Sequence, residues 1–430
     1  MRTGRRAGAV VLALTMAAAL AACGRAEEDS GGEAGGDAST PASQAPEVDT
    51  GAASGEVSVW AFGAEGDALD VLADAFMEEN PDITVEVEPV GFDVAHDKIV
   101  SAIAGGEGPD VSQIGTTWMG EFAALGGLDP TPSNIDPSGF FEGAWDTTVV
   151  DGTSYGVPWY VETRLVYYRT DLAEEGGVSE PPSTWDDLKA LAEGMQGAGA
   201  QYGINLQPGG TGAWQTYMPF FWQAGGEIMD DSGAFTLDSE ACAAALTYYD
   251  SFFEEELTAA AAGDVPLEGQ FANGDVGAFI SGPWMIGIVT DAGAEPDTWT
   301  VAHQPTEEAG TSFVGGSNLS VLSDSDNKEA AWAFVEYLSQ PEVQVTWYET
   351  VNALPAIQSA WEEEALAGDE LLATFGDQLS DAKAPPAIAT WEEVAAEIDA
   401  VIEQVTVGDA SPEDGCATMQ EAADAIGTGS

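Results

Sequence analysis

Glu162 and Arg164 stand two residues apart in an otherwise apolar run, Tyr155 to Asp171. Strand alternation would put both side chains on one face. Charges that leave water need partners. The pair therefore either closes on itself as an ion pair on a half-buried strand, or presents polar groups to a cleft between two lobes. Pro158 interrupts the run, and the aromatics Trp159 and Tyr160 follow it directly. A proline in mid-strand removes a ladder donor and marks an edge or a bend. Other reactive chemistry is sparse. The histidines, His96 and His303, are far apart and no C-x-x-C pair occurs, so no zinc site or other cofactor site is expected. Gly152-Thr-Ser-Tyr-Gly156 matches a nucleophile elbow, but it leads through a hairpin into a strand rather than from strand to helix. The paired carboxylates of a glycosidase would have to come from 75 acidic residues with no distinguishing spacing. None of these residues singles out a catalytic site, and a glycoside-processing enzyme stays as a minor alternative.

Charge narrows the partners. Against those 75 acidic residues stand 10 basic ones, three of them (Arg2, Arg5, Arg6) at the extreme N-terminus. A polyanion such as nucleic acid is excluded as a partner. Residues 1–22 read as an export signal: a basic start, then an apolar stretch from Ala7 to Leu20 too short to span a bilayer. Leu20-Ala-Ala-Cys23-Gly resembles a bacterial lipobox, which implies that Cys23 is acylated and tethers the chain to the outer face of the cell membrane. Residues 23–55 are rich in Gly, Ala, Ser and acids and lack aromatics, so they are expected to stay an unfolded tether reaching roughly 30 Å. Outside the cytoplasm, the remaining cysteines, Cys242 and Cys416, suggest a disulfide, with two separately buried thiols as the alternative.

The rest of the chain must position the Glu162–Arg164 stretch. Val57–Trp60 alternates as a strand, followed by a glycine-bearing loop at 61–66. Asp67 could cap a helix from Ala68 to Glu79 whose Leu69, Leu72 and Phe76 recur at helical spacing. Ile83–Glu88 closes a βαβ unit. A helix at 95–103, a strand at 108–114 and a loop Gly115–Trp118 come next. In open α/β sheets ligands gather at the carboxyl ends of strands, where the 61–66 and 115–118 loops lie. Further helices are expected from Thr184 and Thr211 and around Cys242, with a hairpin arm at 233–237. A strand at 275–280 leads into a helix opening at Ser281-Gly-Pro-Trp284. A strand from Gly315, a helix at 327–338 and a helical tail from Thr390 to Ile426 complete the chain.

The order of these pieces resembles the family 1 extracellular solute-binding proteins of ABC importers, the maltose-binding group. The resemblance runs through Val57-Ser-Val-Trp-Ala-Phe-Gly, Glu79-Asn-Pro-Asp-Ile, Gly106-Glu-Gly-Pro-Asp, Tyr155-Gly-Val-Pro, Val161-Glu, Ile280-Ser-Gly-Pro-Trp284, Gly315-Gly-Ser-Asn and Asn327-Lys-Glu-Ala-Ala. It implies an α/β fold of the two-lobe, type II periplasmic-binding-protein kind, its lobes joined by crossover strands and closing like a hinge. The expected division is 56–162 and 315–360 for the first lobe, 163–314 and 361–430 for the second. By the same resemblance Trp284 and Trp391 stack on sugar faces and Glu162 is the crossover glutamate. Glu65, Thr117 and Trp118 fall where maltose binders carry a lysine and an Asp-Arg pair, a departure that leaves the sugar open. Trp214 and Gln215 fall near a further ligand segment. With Trp159, Arg164, Gly315 and Asn318 these make the expected binding set. Aromatic planes cover pyranose faces while carboxylates and amides bind the hydroxyl rim. Most of the 13 tryptophans, among them Trp145, Trp332 and Trp361, are expected in cores. The implied ligand is a di- or oligosaccharide, the implied partner an importer permease, and the protein a monomer. A polyamine ligand is the alternative within this fold.

Overall fold

The computed structural model describes residues 42–261 and 265–429. The signal, Cys23 and the first part of the tether lie outside the described residues. Residues 42–54, expected to remain free, lie along the first lobe. Ser43 bridges Thr153 and Ala45 bridges Pro132, while Thr50 Oγ1 donates to Glu336 Oε2 at 2.9 Å. Backbone bridges, side-chain hydrogen bonds from Gln44 and Thr50, and the packing of Val48 and Ala53 on the core hold this segment in place.

Strand β1 (Gly55–Phe62) runs parallel to β2 (Ile83–Val90) and β3 (Val111–Gly115). Between β1 and β2 stand two helices, α1 (Gly63–Ala68) and α2 (Asp70–Glu79). Leu72 and Phe76 of α2 are buried against the sheet, as their spacing requires. The glycine loop expected at 61–66 is largely α1, and Asp67 lies inside it rather than capping its successor. The N-cap position, Phe62, makes no side-chain cap bond, so no capping residue announces the helix. Helix α3 (Phe92–Gly105) covers the next crossover.

Strand β4 (Val157–Thr163) joins the same sheet, but β5 (Leu165–Arg169) belongs to a second, three-stranded one, in which it lies between β6 (Ala278–Ser281) and β7 (Trp299–Ala302). Arg164 is the single residue between the two sheets. The long strand β8 (Ser312–Val321) returns antiparallel between β4 and β3, with Gly315 opposite Glu162 and Ser317 opposite Gly115. The short strands β9 (Leu354–Pro355) and β10 (Ala382–Lys383) complete a seven-stranded sheet beside β4 and β8. The chain thus leaves the seven-stranded sheet for the three-stranded one at Arg164 and returns to it along β8.

The second lobe adds α4 (Trp185–Ala198), closed by a reciprocal capping box between Thr184 and Asp187, then α5 (Trp214–Gln223) and α6 (Glu240–Glu254). The hairpin arm expected at 233–237 is only an isolated bridge, Met229 to Phe235. Helix α7 (Met285–Asp291) follows Trp284. Helices α8 (Lys328–Leu338) and α9 (Pro341–Val351) return to the first lobe. The expected helical tail divides into α10 (Trp391–Thr406) and α11 (Pro412–Ile426), broken around Gly408 and restarted with Ser411 as N-cap and Pro412 in the first turn. Cys242 of α6 and Cys416 of α11 are joined by a disulfide, their Cα atoms 6.0 Å apart. Among the described residues no helix is long and apolar enough to cross a membrane.

Candidate functional site

Between the two sheets lies a cleft of about 410 Å³. Its floor comes from β4 and β8. Period two along β4 turns Tyr160 and Glu162 toward the cleft and Trp159 and Val161 the other way. Gly315 leaves the space these groups use: a Cβ there would fall 2.7 Å from the Phe313 ring and 2.9 Å from Glu162 Oε1. Ser317, on the same face, donates from Oγ to the Tyr160 hydroxyl at 3.2 Å and accepts from Gln113 Nε2 at 3.0 Å. Burial, then the neighbouring Glu65 carboxylate, pushes the Tyr160 phenol well up, so it remains a neutral hydroxyl donor.

The first lobe's wall is aromatic. Trp118, in the turn after β3, packs against Phe62 and Phe92, each with ring centres 5.9 Å away, and edge-on to His96 at 5.2 Å. Glu65 and Thr117 complete that wall. Opposite stand Gln215 at the start of α5 and Trp284 between β6 and α7. Trp284 is 43 % exposed, unusual for so large a ring. The ring folds back over Gly282, where a Cβ would meet it at 2.1 Å, so only glycine permits this position. The αL residue Asn352 after α9 closes one end.

Of the expected binding residues, the structure brings Glu65, Thr117, Trp118, Glu162, Gln215, Trp284 and Gly315 together at the cleft. It does not bring the other five to its surface. Trp159 points into the first lobe's core and stacks on Trp347 with ring centres 5.0 Å apart. Asn318 follows a bulge in β8, is fully buried and donates from Nδ2 to Thr147 Oγ1 at 3.0 Å. Trp391 is fully buried and meets Trp214 edge to face at 5.1 Å. Trp214 in turn packs edge-on to the Phe313 ring at 5.4 Å, so this pair supports the floor from below. Arg164 sits behind the lining, with 13 % of its side chain exposed. Tyr160, Phe92, Ser317 and Asn352 were not in the expected set. For Tyr160 the signal existed, since it shares Glu162's strand face.

The Ser154 hydroxyl of the G-x-S-x-G match is buried in its hairpin and donates to Thr131 Oγ1 at 2.9 Å. Among the described residues no cluster of three or more His, Cys, Asp or Glu could hold a metal.

The frame that carries the cleft is shared with known proteins. Residues 62–345 match the family model described as bacterial extracellular solute-binding protein. A protein of Brucella abortus (strain 2308), named for binding by similarity alone, is 29 % identical over 367 residues, covering 83 % of this chain and 88 % of its own. The maltotriose-binding protein of Pyrococcus abyssi is 26 % identical over 374 residues, covering 81 % and 78 %. Among solved structures, the sugar-binding protein MalE of Xanthomonas citri superposes with a TM-score of 0.81 at 32 % identity, covering 86 % of this chain and 97 % of its own. The two-lobed α/β frame is thus one this chain shares with binding proteins, and the chain belongs to the bacterial extracellular solute-binding proteins.

Proposed function

We propose that this protein captures a di- or oligosaccharide in the interlobe cleft and delivers it to the permease of an ABC importer. In this reading it works as a monomer held to the outer face of the membrane through lipid on Cys23. The observation that carries the ligand class is Trp284, an exposed ring at a cleft whose other wall carries Trp118 and Phe92, with Glu65, Glu162, Gln215 and Asn352 around the rim. Aromatic planes suit the CH faces of a pyranose, and carboxylates and amides suit its hydroxyls. The relatives named for maltotriose and sugar binding support this class. The binding residues in this reading are Glu65, Thr117, Trp118, Tyr160, Glu162, Gln215, Trp284 and Asn352. A polyamine is the second reading, favoured by the two lining carboxylates.

A thermal-shift panel separates them. Maltose, maltotriose and N,N′-diacetylchitobiose are set against putrescine and spermidine, because a ligand of the native state raises the melting temperature by mass action. A shift with a saccharide and none with the amines is expected. A shift with spermidine alone would transfer the assignment to the amine.

A further inference from the structure

Arg164 is fastened to four side chains that line the cleft, yet it does not line the cleft itself. Its Nη2 donates to Gln215 Oε1 at 3.1 Å and lies 3.4 Å from Glu162 Oε1. Its Cζ is 4.7 Å from the centre of the Trp284 ring and 5.6 Å from that of Phe313. The four partners come from α5, β4, the turn before α7, and β8. The Arg164 backbone is held as firmly: its N–H donates to Ser312 Oγ at 3.2 Å, and its carbonyl accepts from Ser312 Oγ at 2.8 Å and Gln304 Nε2 at 3.2 Å. One residue at the crossing of the two sheets therefore holds groups from both lobes.

We infer that Arg164 is a positioning residue that sets Glu162, Gln215 and Trp284 before a ligand arrives, and that the cleft consequently takes uncharged or amine-bearing ligands and rejects anionic ones. A guanidinium suits the first task because its planar fork donates in fixed directions while its face lies against aromatic rings. Fixing the side chains in advance removes part of their ordering cost from binding. The second half follows from the composition of the lining. The lining contains Glu65 and Glu162 and no lysine, arginine or histidine. A ligand carboxylate or phosphate would meet like charge with no cation in the lining to answer it. The ligand's identity rests on the saccharide reading above; the role of Arg164 does not.

Two measurements test this on the full mature chain. The first needs no ligand. Arg164→Met keeps an unbranched stem against the two rings and removes the fork and charge. Amide exchange should quicken at residues 214–218 and 284–288 and stay unchanged in α2 and α8. Unchanged exchange at both sites would overturn the positioning role. A Glu162→Gln, Arg164→Met double variant removes both charges and keeps the experiment possible should the single variant fold poorly. The second measurement is calorimetric, with maltotriose as probe, or diacetylchitobiose if that is the panel member that stabilises the protein. Arg164→Met should weaken binding at least tenfold. Adding Gln215→Ala to it should cost less than Gln215→Ala costs alone, because Arg164 acts through Gln215. Losses that simply multiply would mean that Arg164 touches the ligand, and would overturn the inference. Maltobionate, a disaccharide acid, should not bind; affinity equal to the neutral sugar's would overturn the charge selectivity. If no saccharide binds the parent protein, the saccharide reading fails while the exchange measurement still decides Arg164.

Discussion

Trp284 and Trp391 are the same side chain in opposite circumstances, and the contrast gives a paired test. Trp284 is 43 % exposed at the cleft, whereas Trp391 is fully buried against Trp214. An aromatic anchor in a binding site is typically worth ~2 kcal/mol or more, so Trp284→Ala should weaken saccharide binding at least tenfold and move the unliganded melting temperature little. Trp391→Ala opens a core and should cost about 3–5 kcal/mol of stability. Calorimetry and unfolding measured on both variants would show whether the roles are reversed. Some single residues were legible through a local rule, and others, Trp284 and Trp118 among them, only through the resemblance. Glu162 stood out as a charge in an apolar run, and alternation from it leads to Tyr160 rather than to Trp159, which faces the Trp347 ring. Asn352 had no such route. It lies far along the chain from Glu162, and only the return of α9 to the first lobe brings it to the cleft.

Elements declare themselves through period and caps, and the first lobe shows where that suffices. The β1–α2–β2 unit follows from alternation and helical spacing, whereas α1 has no capping side chain and hides in a glycine stretch. The junction of these elements is Asp110, which is 9 % exposed just before β3. Burial alone would push its carboxyl up. The hydrogen bonds it accepts from Ser325 Oγ at 2.6 Å, from Ser58 N and Oγ at 2.9 and 2.8 Å, and from Asn327 outweigh this and hold it below its ordinary value. The carboxylate thus ties β1 to the turn leading into α8. A lowered folded pKa means that its stabilisation is complete above the unfolded value of about 4 and is lost as pH falls through the folded one. Asp110→Asn should therefore cost about 1–3 kcal/mol near neutral pH. Its deficit against the parent should shrink in denaturant titrations run progressively below pH 4. A deficit that stays constant with pH would assign the loss to packing instead.

At the scale of the whole molecule, charge and a covalent link act on stability from opposite sides. A formal net charge of −65 makes the compact state repel itself. Raising salt contracts the screening length from about 10 Å at 0.1 M to about 3 Å at 1 M, so the melting temperature should climb with sodium chloride. A fall would point to ion pairs as the dominant charge effect. The disulfide works on the unfolded chain. Composition and compartment suggested that Cys242 and Cys416 pair, and helical patterns around both put the bond between two helices; the structure has it join α11 to α6 across a sequence separation of 174. Closing so long a loop restricts the unfolded ensemble strongly, and removing a native bond of this kind typically costs about 2–5 kcal/mol. Both sulfurs lie in the second lobe's core, and neither cysteine lines the cleft. Cys242→Ser with Cys416→Ser should therefore lower the denaturant midpoint by an amount within that range, and reducing the parent protein should do the same. Saccharide affinity measured well below the new melting temperature should remain within about twofold of the parent's, roughly 0.4 kcal/mol. A loss of affinity out of proportion to the loss of stability would show that the second lobe's helical layer sets the cleft's shape as well as supporting it.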